Sequence, residues 1–320
     1  MKIEKARCPL EAVPRADALL AAGSSQKGVS TMRSYAIFTE STGDLTPALI
    51  QQADLNVLPM TFNLDGTAYK DYPDGREISS KAFYDKLRTG SMCTTSQVSL
   101  AEYEDAFTPV LASGMDILYL SFSSGLSGTY QTSRLAVELL GARFPGRRIQ
   151  CVDSRQASMG EGLFAYLVGC RRLEGASFEE AARYAQELAP QVCAWFTVDD
   201  LMFLKRGGRL SGAAAVAGTL LGIKPVLHVD DEGHLVAMEK VRGRRASLDA
   251  LVKHFQATAK DPAGGTVFIS HGDCPEDCAY VMDKLRALGV THLQEGSIGP
   301  VIGTHSGPGT VALFWVGGPR

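Results

Sequence analysis

The sequence lacks the long apolar runs that membrane-spanning helices require. No such run in its 320 residues approaches the roughly 20 residues that cross a bilayer. Ala18–Ala22 is also too short for the apolar core of a signal peptide. We therefore expect a cytoplasmic protein that has no stable insertion in a membrane.

The sequence also lacks a marked excess of either charge. Its 32 Lys and Arg residues nearly balance its 35 Asp and Glu residues, for a net charge of −3. Proteins that bind nucleic acid or adhere to anionic membranes carry a basic excess. We therefore expect neither nucleic acid nor an anionic membrane surface as a partner.

The sequence lacks a cysteine pattern typical of disulfide scaffolds or metal sites. The seven cysteines are odd in number and scattered, which fits reduced thiols in a cytoplasm better than a disulfide framework. His271, Cys274 and Cys278 come closest to a metal-binding motif, but no fourth ligand follows at finger-like spacing. The sequence therefore predicts no metal and no cofactor.

Hydroxyl-rich loops are what the sequence does have. Ser121–Ser133, SFSSGLSGTYQTS, follows an apolar strand at Asp116–Leu120 and opens a helix predicted over Tyr130–Leu140, ending at Gly141. The free backbone N–H groups and the dipole of a helix N-terminus favour an anion there. An ordinary helix cap with a flexible turn explains the loop as well. The loop has no P-loop lysine, and Thr129 stands where a nucleophile elbow needs glycine.

Two further segments have the same character. Thr39–Asp44 follows a predicted strand, and Cys93–Gln97 is predicted to be a loop at the entrance of the next helix. Ser99 already fills the cap position of that helix. Thr95 and Ser96 are therefore left for a binding role.

The order of predicted elements indicates an α/β fold with two domains. Strands and helices alternate over residues 35–175, which indicates a doubly wound, mainly parallel sheet with ligands at the carboxyl ends of its strands. Later in the chain, predicted hairpins are mixed with predicted helices, which indicates an α+β domain. One of these helices is predicted over 212–221. We predict an extension over 1–32, disordered or with a short helix near Ala16–Ala22. An α/β domain over 33–175 and an α+β domain over 176–320 follow, with the ligand between them.

Seven short motifs recur in an order that resembles the DegV family of bacterial fatty-acid-binding proteins. The resemblance runs from about Ser34 to the C-terminus. The motifs are Thr39-Glu-Ser-Thr, Thr95-Ser-Gln, Ser123-Ser-Gly-Leu-Ser-Gly-Thr-Tyr, Val152-Asp-Ser, Lys205-Arg-Gly-Gly-Arg-Leu-Ser, Ile223-Lys-Pro and Gly303-Thr-His-Ser-Gly-Pro-Gly. The chain departs from the family pattern in having Glu40 for Asp, Val98 for Pro, and the additional residues 1–31.

The resemblance implies a carrier rather than an enzyme, with one long-chain fatty acid held between two domains. The hydroxyls of Thr95 and Ser127 would bind the carboxylate. Further candidates at the ligand or the cleft are Ser96, Gly128, Thr129, Arg209 and His305. Some members present the acid to a separate ATP-dependent fatty acid kinase, and the acyl phosphate then enters phospholipid synthesis. Arg242, in a basic run, would dock that partner.

Other readings of the same residues stay open. Ser127, Asp153 and His305 occur in the chain order of a serine hydrolase or acyltransferase. The same loops could instead bind a small polar anion, which predicts a polar pocket rather than an apolar one. Arg242 could lie on a solvated face, Arg209 could be a helix-end charge, and His305 could be a hydrogen-bonded loop histidine.

Overall fold

A parallel sheet, sheet A, forms the first half of the fold. The computed structural model describes residues 34–210 and 222–318. Sheet A has four strands in the order β2-β1-β6-β7, and all of its pairings are parallel. Numbered in chain order, its strands are β1 (Tyr35–Glu40), β2 (Leu55–Leu58), β6 (Asp116–Ser121) and β7 (Ile149–Asp153).

Helices cover both faces of sheet A. The helices of this half are α1 (Pro47–Gln52), α2 (Ser80–Arg88), α3 (Leu100–Ala112), α4 (Thr129–Arg143), α5 (Met159–Leu173) and α6 (Phe178–Leu188). Successive residues of β1 point to opposite faces. Ile37 packs in a core with α5 and α6, while Phe38 packs in a second core with α3 and α4. This is the doubly wound arrangement that the alternating pattern predicts.

The second half is built on sheet C, a mostly antiparallel sheet in the order β10-β9-β8-β13-β11-β12. Its strands are β8 (Val192–Thr197), β9 (Ile223–Val229), β10 (Leu235–Arg242), β11 (Thr266–His271), β12 (His292–Ser297) and β13 (Val311–Val316). Its helices are α7 (Met202–Arg206), α8 (Arg244–Thr258), α9 (Pro275–Ala287) and α10 (Pro300–Ser306). A parallel sheet followed by a separate, mostly antiparallel one confirms the predicted fold class.

Helix α5 lies between the two sheets. It packs on β8, β11 and β13 of sheet C and also touches α1 and β2 beside sheet A. Twelve of its fifteen residues are buried, which fits a helix enclosed on all sides. The boundary at residue 175 falls between α5 and α6 and stays a prediction. The helices predicted near Ala16–Ala22 and over 212–221 lie outside the described residues.

A small third sheet, sheet B, corrects one prediction. It has the order β4-β3-β5, with β3 (Thr61–Leu64), β4 (Thr67–Lys70) and β5 (Cys93–Ser96). The β3–β4 hairpin turns at Asp65-Gly66, both at positive φ, as an Asp-Gly turn requires. The prediction of a loop at Cys93–Gln97 is wrong, because Cys93–Ser96 is a strand that pairs with β3. The pairing places Thr95 opposite Phe62. The partner strand lies about 30 residues earlier in the chain, so local sequence does not reveal the pairing.

Two other predictions near the central helices also need correction. Helix α4 does not end at Gly141 but continues to Arg143. The glycine-rich segment at Gly303–Gly309 is not all loop, because its first four residues belong to α10. Pro300 at the first position of α10 is a typical helix start.

Two predictions about composition can be compared with the described residues. No helix in 34–210 or 222–318 is long and apolar enough to cross a membrane. The six cysteines within those ranges are all unbridged, which agrees with the expectation of reduced thiols.

Candidate functional site

An apolar cavity of about 260 Å³ lies between sheets A and C. Phe122 and Leu126 of the central loop form one wall. Sheet C supplies the floor through Ala194 and Phe196 of β8 and through Ala312 and Phe314 of β13. The walls thus come from both halves of the chain.

Polar side chains gather at one end of this cavity. Thr95, Ser127, Arg209 and His305 all line it. Thr95 Oγ1 lies 2.8 Å from His305 Nε2. Ser127 Oγ accepts the Thr129 N–H at 3.2 Å and lies 2.9 Å from Thr129 Oγ1. The two hydroxyls that the resemblance implies as carboxylate ligands therefore border the same cavity.

Two glycines allow the loops of this polar end to approach each other. A Cβ at Gly128 would lie 2.3 Å from Gln97 Oε1, and a Cβ at Gly207 would lie 2.2 Å from His305 Nδ1. Both glycines have φ near −70°, which any residue adopts. They are needed for space rather than for backbone conformation.

His305 is a neutral imidazole at pH 7. Burial and the charge of Arg209 lower its pKa to about 4. Its Nδ1 is buried and has no hydrogen-bond partner among the described residues, so a proton there would be left without an acceptor. We assign the proton to Nε2, which donates it to Thr95 Oγ1. The Thr95 hydroxyl is then free to donate its own proton into the cavity.

Three predicted site residues lie away from the cavity lining. Ser96 is exposed, because alternate residues of β5 face opposite sides. Thr129 is fully buried and holds Ser127 instead of reaching the cavity. Arg242 is exposed at the end of β10, seven residues and roughly 23 Å along the strand from Leu235 at the cavity wall.

The residues of the hydrolase alternative do not form a triad. Ser127 Oγ bonds to Thr129 and His305 Nε2 bonds to Thr95. Asp153 Oδ1 accepts backbone N–H groups of Ser124 and Arg155 rather than a histidine N–H. Each side chain thus has a partner that is not the one that nucleophilic catalysis requires.

A buried acid holds the cavity wall in place, and the sequence analysis did not assign it a role. The Glu40 carboxylate accepts hydrogen bonds from the backbone N–H of Phe122 and from the hydroxyls of Ser121 and Thr42. Burial raises the pKa of Glu40 to about 8, and burial beside Glu40 raises that of Glu161 well above its ordinary value. The only sequence signal was the departure of Glu40 from the family's Asp.

Replacing Glu40 tests this electrostatic environment. Between its ordinary pKa near 4.5 and about 8, the folded state binds more protons at Glu40 than the unfolded state does, so stability falls as the pH rises through this range. Glutamine cannot ionise. When the pH is raised from 5 to 8.5, we expect the melting temperature of Glu40→Gln to fall less than that of wild type. The difference between the two changes is about 3 °C or more. Thermal unfolding followed by circular dichroism measures both. Glu138→Gln, on an exposed residue, is the control, and equal pH profiles for Glu40→Gln and wild type would contradict the assignment.

One further cluster contains potential metal ligands. The ligand atoms of His271, Cys278 and Glu295 lie within 4.8 Å of one another. However, His271 Nδ1 accepts the Cys274 N–H at 3.1 Å. A metal on Nε2 would require the ring proton on Nδ1, where that bond leaves no room for it. The cluster is therefore arranged for hydrogen bonding.

The chain matches a known protein family over most of its length. Residues 34–317 match the family model described as an uncharacterised protein of the DegV family. A DegV domain-containing protein of Clostridium perfringens is 41% identical over 287 residues, which are 89% of this chain and 98% of the relative.

Two solved structures share the fold. A fatty-acid-binding DegV family protein from Thermus thermophilus has a TM-score of 0.79 and 32% identity, over 89% of this chain and all of the relative. A stearic-acid-binding protein from Eubacterium ventriosum has a TM-score of 0.78 and 27% identity, over 88% and 98% of the two chains. With the family model matching most of the chain, this protein belongs to the DegV family.

Proposed function

We propose that this protein binds one long-chain fatty acid, with its carboxylate held by the hydroxyls of Thr95 and Ser127. The observation that carries the proposal is an apolar cavity, built from both sheets, whose polar end contains hydroxyl groups, a neutral imidazole and the Arg209 guanidinium. The fatty-acid-binding relatives from Thermus thermophilus and Eubacterium ventriosum support it.

The energetics of burial favour such a ligand. Burying about 14 methylenes at roughly 0.8 kcal/mol each gives a gross gain near 11 kcal/mol. Ordering the chain and desolvating the carboxylate consume part of this gain. The Arg209 guanidinium already donates to two backbone carbonyls, from Nε to Leu126 at 3.1 Å and from Nη1 to Gly207. Hydroxyl groups would therefore hold the carboxylate without a tight arginine fork, and its oxygens would stay nucleophilic.

Calorimetric titration with matched ligands tests the proposal and its polar alternative together. We compare palmitate with hexadecanol, which keeps the chain and lacks the carboxylate, and with a sugar phosphate, which keeps the negative charge and lacks the chain. Binding of palmitate at one per chain, weaker binding of hexadecanol and no binding of the sugar phosphate are expected. Tight binding of the sugar phosphate with none of palmitate would overturn the proposal in favour of a polar-anion site.

The carrier role extends this proposal. In this role the protein catalyses no reaction itself. It works in the cytoplasm and presents the carboxylate to a separate ATP-dependent fatty acid kinase, whose acyl phosphate product serves phospholipid synthesis. The exposed Arg242 on β10 supports a docking role for this strand, because a guanidinium can pair with acidic or phosphate groups of a partner.

Charge reversal tests the docking role. We expect Arg242→Glu to weaken the use of the loaded carrier by its kinase about tenfold, through loss of electrostatic attraction, and to leave palmitate affinity unchanged. The measurement is acyl phosphate formation against carrier concentration. Arg286→Glu, at another exposed arginine, on α9, is the control. Equal kinetics for both variants and wild type would remove Arg242 from the interface.

A further inference from the structure

Gln97 lies where the polar end of the cavity meets solvent. It directly follows β5 and lines the cavity together with Thr95, two positions earlier. Residues two apart on an extended chain point to the same side. Gln97 and Gly128 are both exposed and both line the cavity, so they mark its opening.

A hydrogen bond joins the Gln97 side chain to α4. Its Nε2 donates to Thr132 Oγ1 at 2.9 Å. Thr132 Oγ1 in turn donates to the Gly128 carbonyl at 3.2 Å. Because that bond uses the one hydroxyl proton of Thr132, its oxygen serves Gln97 as an acceptor, which assigns the amide nitrogen of Gln97 to this side. Gln97 is thereby tied to the residue that follows Ser127.

This bond connects two parts of the site that are otherwise built separately. Thr95 stands on sheet B, whereas Ser127 stands in the segment between β6 of sheet A and α4. Within residues 34–210 and 222–318, no strand pairing joins these two sheets, and no other hydrogen bond links 93–97 to 121–133. The separation of the two hydroxyls therefore depends on side-chain contacts such as this one.

Gly128 leaves the room that the contact needs. A Cβ at Gly128 would lie 2.3 Å from Gln97 Oε1. The φ of −74° and ψ of 0° at Gly128 are open to any residue. The backbone does not require glycine, so what the glycine provides is the path by which the amide crosses the start of α4.

A carboxylate places a geometric demand on two hydroxyl ligands. Its two oxygens stand on one carbon at a fixed, short separation, so two hydroxyls bond to both only when their own spacing is fixed. An alcohol has a single oxygen and makes no such demand. A contact that fixes the spacing therefore favours an acid over an alcohol of the same chain length.

We propose that Gln97 is a positioning residue that holds Thr95 and Ser127 at the spacing that one carboxylate requires. This role rests on the proposed function and adds a residue to it. Gln97 acts through its bond to Thr132 and not by touching the ligand. The Thr95-Ser-Gln motif then contains a ligand-binding hydroxyl and, two positions later, the side chain that fixes its place.

Calorimetric titration of palmitate and hexadecanol into variants of the full-length protein tests the role. Gln97→Ala and Thr132→Val each remove one partner of the bond. We expect each to weaken palmitate binding about fivefold and to leave hexadecanol binding within about twofold of wild type. A general disturbance of the fold would weaken both ligands alike, so the split between acid and alcohol is specific to positioning.

Three further variants complete the design. Thr132→Ser keeps the hydroxyl, and Gln131→Ala removes an exposed amide from the adjoining position of α4. Both are expected to bind palmitate as wild type does. Gln97→Ala is expected to add nothing to the loss in Thr95→Ala/Ser127→Ala, because no hydroxyls remain there to be positioned.

The outcomes separate this role from the proposed function. Unchanged palmitate binding in Gln97→Ala, or an equal loss for both ligands, overturns the role while the proposed function stands. A loss in Gln97→Ala that Thr132→Val does not share also overturns it and shows that the amide contacts the carboxylate directly. A wild type that binds no palmitate overturns the role together with the proposed function.

Discussion

We expect the double variant Thr95→Ala/Ser127→Ala to bind palmitate at least about 100-fold more weakly than wild type. Each hydroxyl donates a hydrogen bond to a buried carboxylate in the proposed complex, and such a bond contributes roughly 1.5–3 kcal/mol. Loss of both leaves the carboxylate desolvated with few donors, and the apolar cavity cannot compensate. Calorimetric titration of both proteins measures the difference.

The chain offers a matched control for this experiment. Ser96 follows Thr95 on β5 and is exposed on the opposite side of the strand. Ser96→Ala removes the same kind of group at the neighbouring position and is expected to bind palmitate as wild type does. If the double variant kept its affinity, Thr95 and Ser127 would not be the carboxylate ligands.

A second large effect is expected from shortening the cavity with Ala194→Phe. Phe314, the partner of Ala194 across the β8–β13 pairing, lies four residues or roughly 13 Å along the chain from Thr310. Thr310 in turn follows α10, which carries His305, so Ala194 lies at the end of the cavity remote from the polar groups. A phenyl ring there displaces roughly four methylenes, which costs about 3 kcal/mol of palmitate binding, or more than 100-fold.

Decanoate is the internal control for this variant. Its shorter chain stops before the added ring, so we expect its affinity to stay within about threefold of wild type. Calorimetric titration with acids of 10 to 18 carbons gives the whole profile, and thermal unfolding checks that the variant is folded. An equal loss for decanoate and palmitate would show that the chain does not extend along β13 toward Ala194.

Local sequence predicts the elements whose boundaries depend on nearby residues. Thr46 caps α1 with Pro47 at its first position, and Ser99 and Ser177 form capping boxes with the residues three positions later. The Asp65-Gly66 hairpin is also local. Such features can be predicted from the sequence because the hydrogen bonds involved span only a few residues.

The predictions that failed depend on distant partners. Cys93–Ser96 is a strand because it pairs with Thr61–Leu64. Helix α4 continues past Gly141 because the helix packs against α3 and β7. The glycine itself lies in open space and does not end it. The glycine-rich sequence after Pro300 does not indicate a helix, so the start of α10 cannot be predicted from it.

The candidate site divides in the same way. The hydroxyls of Thr95 and Ser127 stand in short motifs that resemblance can identify, whereas the cavity walls are dispersed from Met60 to Phe314. The link from His305 to Thr95 joins residues 210 positions apart. Burial of Glu40 is likewise a property of the folded chain.

The most direct test of the central claim is native mass spectrometry of the purified protein, followed by organic extraction and identification of the released molecule. We predict one fatty acid of 14 to 18 carbons per chain, or its uptake at that ratio after addition of palmitate or oleate. A protein that is empty as purified and takes up neither acid would contradict the account.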